Sequence, residues 1–179
     1  RKLLDVVVRE SDRLDQIITD FLEYASDRPL KITLVNLPEI LQEVAILLEA
    51  RDPDRRMDIR LELPRTLVCR GDPDKLKQVF LNLGLNALDA VGKKGKLTIR
   101  ALPARAPTDS SVEGGRVEFE DDGSGISADV VGRVFDPFFT TKPGGTGMGL
   151  AIARKILQGH DGSIGVSSVQ GKGTTFRVW

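Results

Sequence analysis

Residues 144–153 read GGTGMGLAIA, four glycines within six positions followed by an apolar run of helical character. Glycine is entropically costly to order, so a cluster of this kind needs a purpose. One purpose is to carry backbone N–H groups close to a phosphate at a helix N-terminus, where the positive end of the helix dipole already points. A flexible surface loop is the alternative reading of the stretch alone. The rest of the chain decides between them.

The chain has 179 residues, with 26 acidic and 26 basic side chains, so its charge does not mark it for nucleic acid or a membrane surface. No apolar run approaches the ~20 residues that would cross a bilayer, and no secretory signal heads the sequence. Cys69 is the single cysteine, which excludes an internal disulfide and fits a cytoplasmic setting. There is no His/Cys cluster at zinc spacing, and His160 is the only histidine.

Outward from the glycine run, the chain divides in two. Residues 2–26 place Leu4, Val7, Leu14, Ile17, Ile18, Phe21, Leu22 and Ala25 at helical spacing, an amphipathic helix whose stripe needs a partner. That partner is either the following domain or a helix outside this chain. Pro29 disfavours helix before it and sets a boundary, giving units of 1–28 and 29–179. The second unit reads as mixed α/β. LKITLV (30–35), MDIRLEL (57–63), RTLVCR (65–70), KLTIRAL (96–102) and RVEFED (116–121) read as strands, and 163–169 with 174–179 as a closing hairpin around QGKG. Asn36 with Glu39 forms a capping box for a helix through residue 50. Asp72 and Pro73 open a second helix, and a third starts at Gly149. Residues 103–115, PARAPTDSSVEGG, read as a polar loop. Three helices over one face of a mixed sheet, an α+β two-layer sandwich, is the economical architecture.

Three segments offer parts of a nucleotide site. In LNLGLNAL, Asn82 and Asn86 lie four apart on one face of an otherwise apolar helix, which calls for an explanation. An amide oxygen is a neutral hard ligand for Mg²⁺; a pair of structural hydrogen-bonders is the alternative. In DDGSGI, Asp121 ends a strand, and Gly123 and Gly125 let the backbone approach a flat ligand. A carboxylate there can accept the amino hydrogen of adenine, although an ordinary turn has the same composition. VFDPFFTTK gathers Phe135, Phe138 and Phe139 ahead of Lys142, suiting an aromatic-anchored cover with a charge near phosphates.

Taken together, these segments resemble the ATP-binding domain of sensor histidine kinases, within the group that includes gyrase B, Hsp90 and MutL. QVFLNLGLNALDA (78–90) resembles the N box, EDDGSGI (120–126) the G1 box and VFDPFFTTK (134–142) the F box. GTGMGLAIA (145–153) resembles the G2 box and GKGTTFRV (171–178) the last glycine motif. They stand in family order over about residues 76–178. SDRLDQIITDFLEYAS (11–26) is similar to the second helix of the dimerisation and phosphoacceptor hairpin.

The resemblance implies a Bergerat-type ATP-binding fold and roles for particular residues. Asn86 would hold Mg²⁺ through its side-chain oxygen, with Asn82 serving the phosphates or the metal shell. Asp121 would read the adenine amino group, supported by Gly123, Gly125, Ile126 and Thr174. Gly145, Thr146, Gly147, Met148, Gly149 and Leu150 would form the phosphate-side loop. Residues from about 127 to 145 would be a lid anchored by Phe135 and Phe139, with Thr140, Thr141 and Lys142 at its phosphate end. Asn82, Asn86 and Lys142 would be the catalytic set.

Members that hydrolyse ATP usually carry glutamate at the turn occupied here by Asn82. An amide cannot take a proton at neutral pH, whereas an imidazole presents its own lone pair. Asn82 therefore fits transfer to histidine better than the alternative, a gyrase- or MutL-like ATPase clamp. Two departures stand out. Asp89 occupies a position that many members fill with Lys, Arg or His, leaving Lys142 to supply that charge. No acceptor histidine is present, and His160 fits a structural role. The expectation is a fragment of a larger, homodimeric kinase, possessing no membrane or nucleic-acid contact of its own. It would work with ATP or ADP, Mg²⁺, the parent's phosphoacceptor hairpin and a response-regulator receiver domain. The parent would be cytoplasmic or membrane-attached.

Overall fold

The computed structural model describes residues 2–179 except 27, 55, 56, 93, 106–112 and 143. The elements run α1 (Lys2–Ala25), β1 (Thr33–Asn36), α2 (Leu37–Ala50), β2 (Met57–Glu62), β3 (Val68–Gly71), α3 (Pro73–Ala90), β4 (Gly95–Arg105) and β5 (Glu113–Asp121). After a 3₁₀ turn (Val131–Arg133) come α4 (Gly149–Gly159), β6 (Ile164–Val169) and β7 (Gly173–Val178).

A five-stranded sheet in the order β2-β4-β5-β7-β6 forms one layer. β2 pairs parallel with β4 and every other pairing is antiparallel. Its apolar face is covered by α2, α3 and α4 around a core that includes Leu41, Val44, Leu83, Leu97, Ile99 and Phe119. Phe80 of α3 stacks on Phe119 of β5 with centroids 6.0 Å apart, tying the helix layer to the sheet. The opposite face carries charges that pair across strands: Arg100 meets both Glu62 and Glu120, and Arg177 meets Glu118. Such pairing lets that face meet water.

The two-layer sandwich is as the sequence predicts, with three local differences. β1 and β3 pair with each other as a separate antiparallel ribbon rather than joining the main sheet. β4 and β5 run on into both ends of 103–115, because their antiparallel register continues from Leu97↔Asp121 to Arg105↔Glu113. Residues 106–112, the middle of the expected loop, lie outside the described residues. The Asn36 capping box is rearranged: its amide NH₂ donates to Glu39 at 2.8 Å, but its oxygen accepts the Leu67 N–H at 3.0 Å instead of capping α2.

Asp72 caps α3 as its sequence predicts, accepting the N–H groups of Asp74 and Lys75 at 3.2 Å each. Its second oxygen takes the N–H of Lys31 at 2.8 Å, which fastens residues 30–32 to the helix start. His160 completes the junction. Its Nε2 accepts the Asp72 N–H at 2.9 Å while Nδ1 lies 2.8 Å from the Ile156 carbonyl, so the neutral ring carries its proton on Nδ1. His160 thus ties the end of α4 to the start of α3.

The last turns of α1 rest on the second unit. Lys75 and Gln78 of α3 both donate to Glu23, at 2.6 Å each. Lys155 of α4 donates to the carbonyls of Tyr24 and Ser26. Phe21 stacks on Phe138 and Asp20 accepts from the Thr146 hydroxyl. Further up, Val7, Leu14 and Ile18 remain exposed, so among the described residues the contacts with the rest of the chain concentrate at the helix's end.

Candidate functional site

The second half of α3 is the spine of the site. Asn82 and Asn86 share one face, Asp89 follows within a turn, and Ala90 ends the helix. Successive turns meet different segments, Asn86 and Asp89 sharing one.

At Asn82 the helix meets the start of α4. The Asn82 amide donates to the Gly149 carbonyl at 3.1 Å. A Cβ on Gly149 would sit 3.7 Å from that amide, an ordinary contact, so this glycine is not required by crowding. The first N–H groups of an α-helix lack intrahelical partners, and α4 brings its own to this place. Just upstream, Gly144 and Gly147 have φ of +80° and +68°. Gly147 is also crowded: a Cβ would come within 2.5 Å of the Phe138 backbone. The glycine run is therefore a shaped turn pressed against the F-box segment rather than a loose loop. Met148 is fully buried among core residues, so only its backbone can serve a ligand.

At Asn86 the helix meets Lys142. The ammonium lies 2.7 Å from the Asn86 side-chain oxygen and 2.9 Å from the Asp89 carboxylate. Thr140 caps the same turn by accepting the Lys142 N–H at 3.0 Å, and Thr141 is exposed beside it. The sequence places Lys142 near phosphates; the structure rests its ammonium on Asn86 and Asp89. An acidic residue three positions after Asn86 draws it there.

At Ala90 the helix meets the DDGSGI turn. The Ser124 N–H donates to the Ala90 carbonyl at 3.0 Å, and a Cβ on Gly123 would lie 2.8 Å from the Ala90 backbone. Gly125 has φ +66° and room for no side chain, since a Cβ would fall 2.2 Å from the Val169 carbonyl oxygen. Asp121 is buried at the end of β5 and accepts the Gly123 N–H at 2.9 Å. Burial pushes its carboxyl above the usual aspartate range; the N–H groups of Gly123 and Thr174 and the charge of Lys142 offset this only in part.

Thr174 lies opposite Asp121 in the β5–β7 register and is buried. Ser168, which none of the sequence motifs contains, organises this corner. Its hydroxyl accepts the Ile126 N–H at 2.8 Å, donates to the Gly173 carbonyl at 2.9 Å and lies 2.9 Å from the Thr174 hydroxyl. Strand alternation in SIGVSSV and the register Ser168↔Thr174 are the signals that point to it.

Residues 133–139, the stretch expected to act as a cover, are held by aromatic contacts. Phe135 packs edge-on against Phe176 in the sheet, and Arg133 stacks over Phe139 at 4.5 Å. Phe138 is the outlier, half-exposed with φ +64°, stacked on α1 rather than on the second unit. A cavity of about 960 Å³ lies elsewhere, between the end of α1, residues 28–32 and α4, and none of the predicted site residues line it.

A sequence profile described as histidine kinase-, DNA gyrase B-, and HSP90-like ATPase matches residues 71–179, from the last residue of β3 to the end of the chain. The chain belongs to that family. This ATPase-family domain is 36% identical over 179 residues to the sensor histidine kinase ZraS of Escherichia coli strain K12, covering 99% of the chain and 37% of the relative. It is 32% identical over 176 residues to sporulation kinase C of Bacillus subtilis strain 168, covering 97% and 40%. The chain thus spans well under half the length of these curated relatives. Among solved structures, the nucleotide-free catalytic domain of histidine kinase ThkA superposes with a TM-score of 0.70 at 31% identity, covering 83% of this chain and 96% of that one. ThkA in complex with response regulator protein TrrA superposes with a TM-score of 0.79 at 30% identity, covering 99% and 50%. The two-layer fold is that of histidine kinase catalytic domains. Among the described residues, no helix is long and apolar enough to cross a membrane.

Proposed function

We propose that residues 29–179 bind ATP with Mg²⁺ and transfer its γ-phosphoryl group to a histidine outside this chain, for relay to a response-regulator aspartate. Residues 1–28 would be the second helix of the dimerisation and phosphoacceptor hairpin of a homodimeric parent. The exposed Leu14 and Ile18 on α1 support that pairing.

The carrying observation is that three distant loops meet successive turns of α3, at Asn82, Asn86 and Ala90. Eight helical residues span about 12 Å, enough to separate a purine from its phosphate tail. Asp121, with Thr174 and Ser168 behind it, would accept the adenine amino hydrogen at one end. Gly145, Gly147 and the N-terminal N–H groups of α4 would take the phosphates at the other. Thr146, already bound to Asp20, would couple that loop to α1.

The residues present fit Mg²⁺. A cationic group already sits on the Asn86 oxygen, and a carboxylate stands beside it. An ion that takes most of its shell from phosphates and water needs few protein donors, and the Asn86 oxygen is a neutral hard one. Bound there, Mg²⁺ would neutralise phosphate charge. The chain's own part is positioning: Asn82 keeps the α4 start against α3, and Lys142 supplies positive charge. Asn82 offers no base for activating water, which supports transfer over hydrolysis. The histidine-kinase names of the relatives and the ThkA–TrrA complex support the same reading.

Incubation with ATP·Mg²⁺ and a separately supplied acceptor hairpin should yield acid-labile phosphohistidine on the hairpin. Titration with ADP should show strong losses for Asn86→Ala and Asp121→Ala. Absence of labelled hairpin together with brisk acceptor-free ATP turnover would instead favour a hydrolase.

A further inference from the structure

Asp89 presents a puzzle that the nucleotide reading does not resolve. A carboxylate one turn from Asn86, beside the place proposed for a triphosphate, should repel the ligand. Its side chain is 58% exposed and its partner Lys142 is 39% exposed, so the pair adds little to folding. Yet both Asp89 and Asn86 reach the same ammonium, at 2.9 and 2.7 Å. Lys142 stands at the end of the cover segment, just ahead of the glycine run, and Thr140 holds only its backbone.

We propose that Asp89 is a positioning residue that keeps Lys142 at the phosphate end of the cleft. This rests on the nucleotide reading above. Lys142 cannot share the Asn86 oxygen with a divalent cation, because two positive charges would then crowd one neutral acceptor. When that oxygen is needed for the metal, the ammonium must leave it. Asp89 is the second tether: the lysine stem pivots about the carboxylate and stays within reach of phosphate oxygens instead of swinging into solvent. The chain thereby recovers a cation next to Asn86 from the cover segment rather than from α3. An ammonium suits this task because its three donors can face carboxylate and phosphate together.

A double-mutant cycle separates this from simple repulsion. ATP·Mg²⁺ and ADP·Mg²⁺ affinities of the chain would be measured by titration calorimetry for wild type, Asp89→Asn, Lys142→Met and the double variant. Thermal melts would check that each folds. Asp89→Asn should weaken ATP·Mg²⁺ by roughly five- to tenfold and do nothing in the Lys142→Met background. Asp89→Glu should restore most of the loss. Tighter ATP binding by Asp89→Asn, or a loss that persists without Lys142, would overturn the proposal while leaving the nucleotide site intact. A wild-type chain that binds neither nucleotide would overturn both. Limited proteolysis gives a readout independent of binding strength. With ATP·Mg²⁺ bound, Asp89→Asn should be cut faster than wild type within residues 138–147, and equal rates would count against the tether.

Discussion

His160 and Asp72 are joined by a 2.9 Å hydrogen bond from the Asp72 N–H to the imidazole Nε2. The sole histidine of a chain read as a histidine-directed kinase is therefore a strut between α4 and α3, with both ring nitrogens engaged. His160→Ala should lose about 1–2 kcal/mol of stability, read by urea denaturation, from the orphaned N–H and the gap beside Gly71. Phosphorylation of a supplied hairpin should survive the change.

Asp72 is also the subject of an acid-stability prediction. Burial raises its carboxyl, but the N–H groups of Lys31, Lys75 and Asp74 outweigh this, leaving it below the usual aspartate range. A lowered folded pKa means the group stabilises the fold above the unfolded value of about 3.9 and loses that contribution as pH falls through the folded one. Asp72→Ala should cost about 1–2 kcal/mol at neutral pH, and the difference from wild type should shrink below pH ~4, followed by denaturant melts across pH.

For Asp121 the sign reverses. Burial raises its carboxyl, so its favourable contribution to folding is complete below the unfolded value and disappears as pH rises through the folded one. Asp121→Asn should therefore be at least as stable as wild type at neutral pH, yet bind ADP roughly tenfold or more weakly. Wild-type affinity should decline on acidification at a pH above that of an exposed aspartate, and the variant's profile should be flat. Calorimetry across pH checks both.

Three glycines should separate cleanly. Gly125→Ala meets the Val169 carbonyl oxygen at 2.2 Å and a positive φ, so it should cost more than about 2 kcal/mol. Gly147→Ala clashes with the Phe138 backbone and should disturb the cover segment and nucleotide affinity. Gly132→Ala, with nothing within 4 Å, should be neutral or slightly stabilising. Thermal melts rank the three.

The hold on α1 combines the Phe21–Phe138 stack with a set of polar bonds that can be removed separately. Lys155→Met combined with Thr146→Val removes donors to Tyr24, Ser26 and Asp20. Proteolytic cleavage between residues 25 and 32 should accelerate several-fold while the melting of the second unit changes by less than ~1 kcal/mol equivalent.

What the sequence makes legible is local. Asp72-Pro73 announces the start of α3, the strands alternate, and the order of glycine motifs reveals which loops face the helix. Contacts made by long side chains across the chain are not legible in this way. Lys142 and Asn86 are 56 positions apart, and only the fold shows the ammonium resting on the amide. Asn36 illustrates the same limit, since a residue 31 positions away claims the oxygen that a capping box would use. Ser168 reads as strand filler because its importance comes from cross-strand register rather than from its neighbours.

Met148 sits sealed in the interior directly between Gly147, whose backbone is left-handed, and Gly149, where α4 begins. A sunken thioether at that point behaves like an axle. Should the preceding arm swing when nucleotide binds, this sealed residue would be where the swing ends, leaving the start of α4 beneath the ligand in one shape.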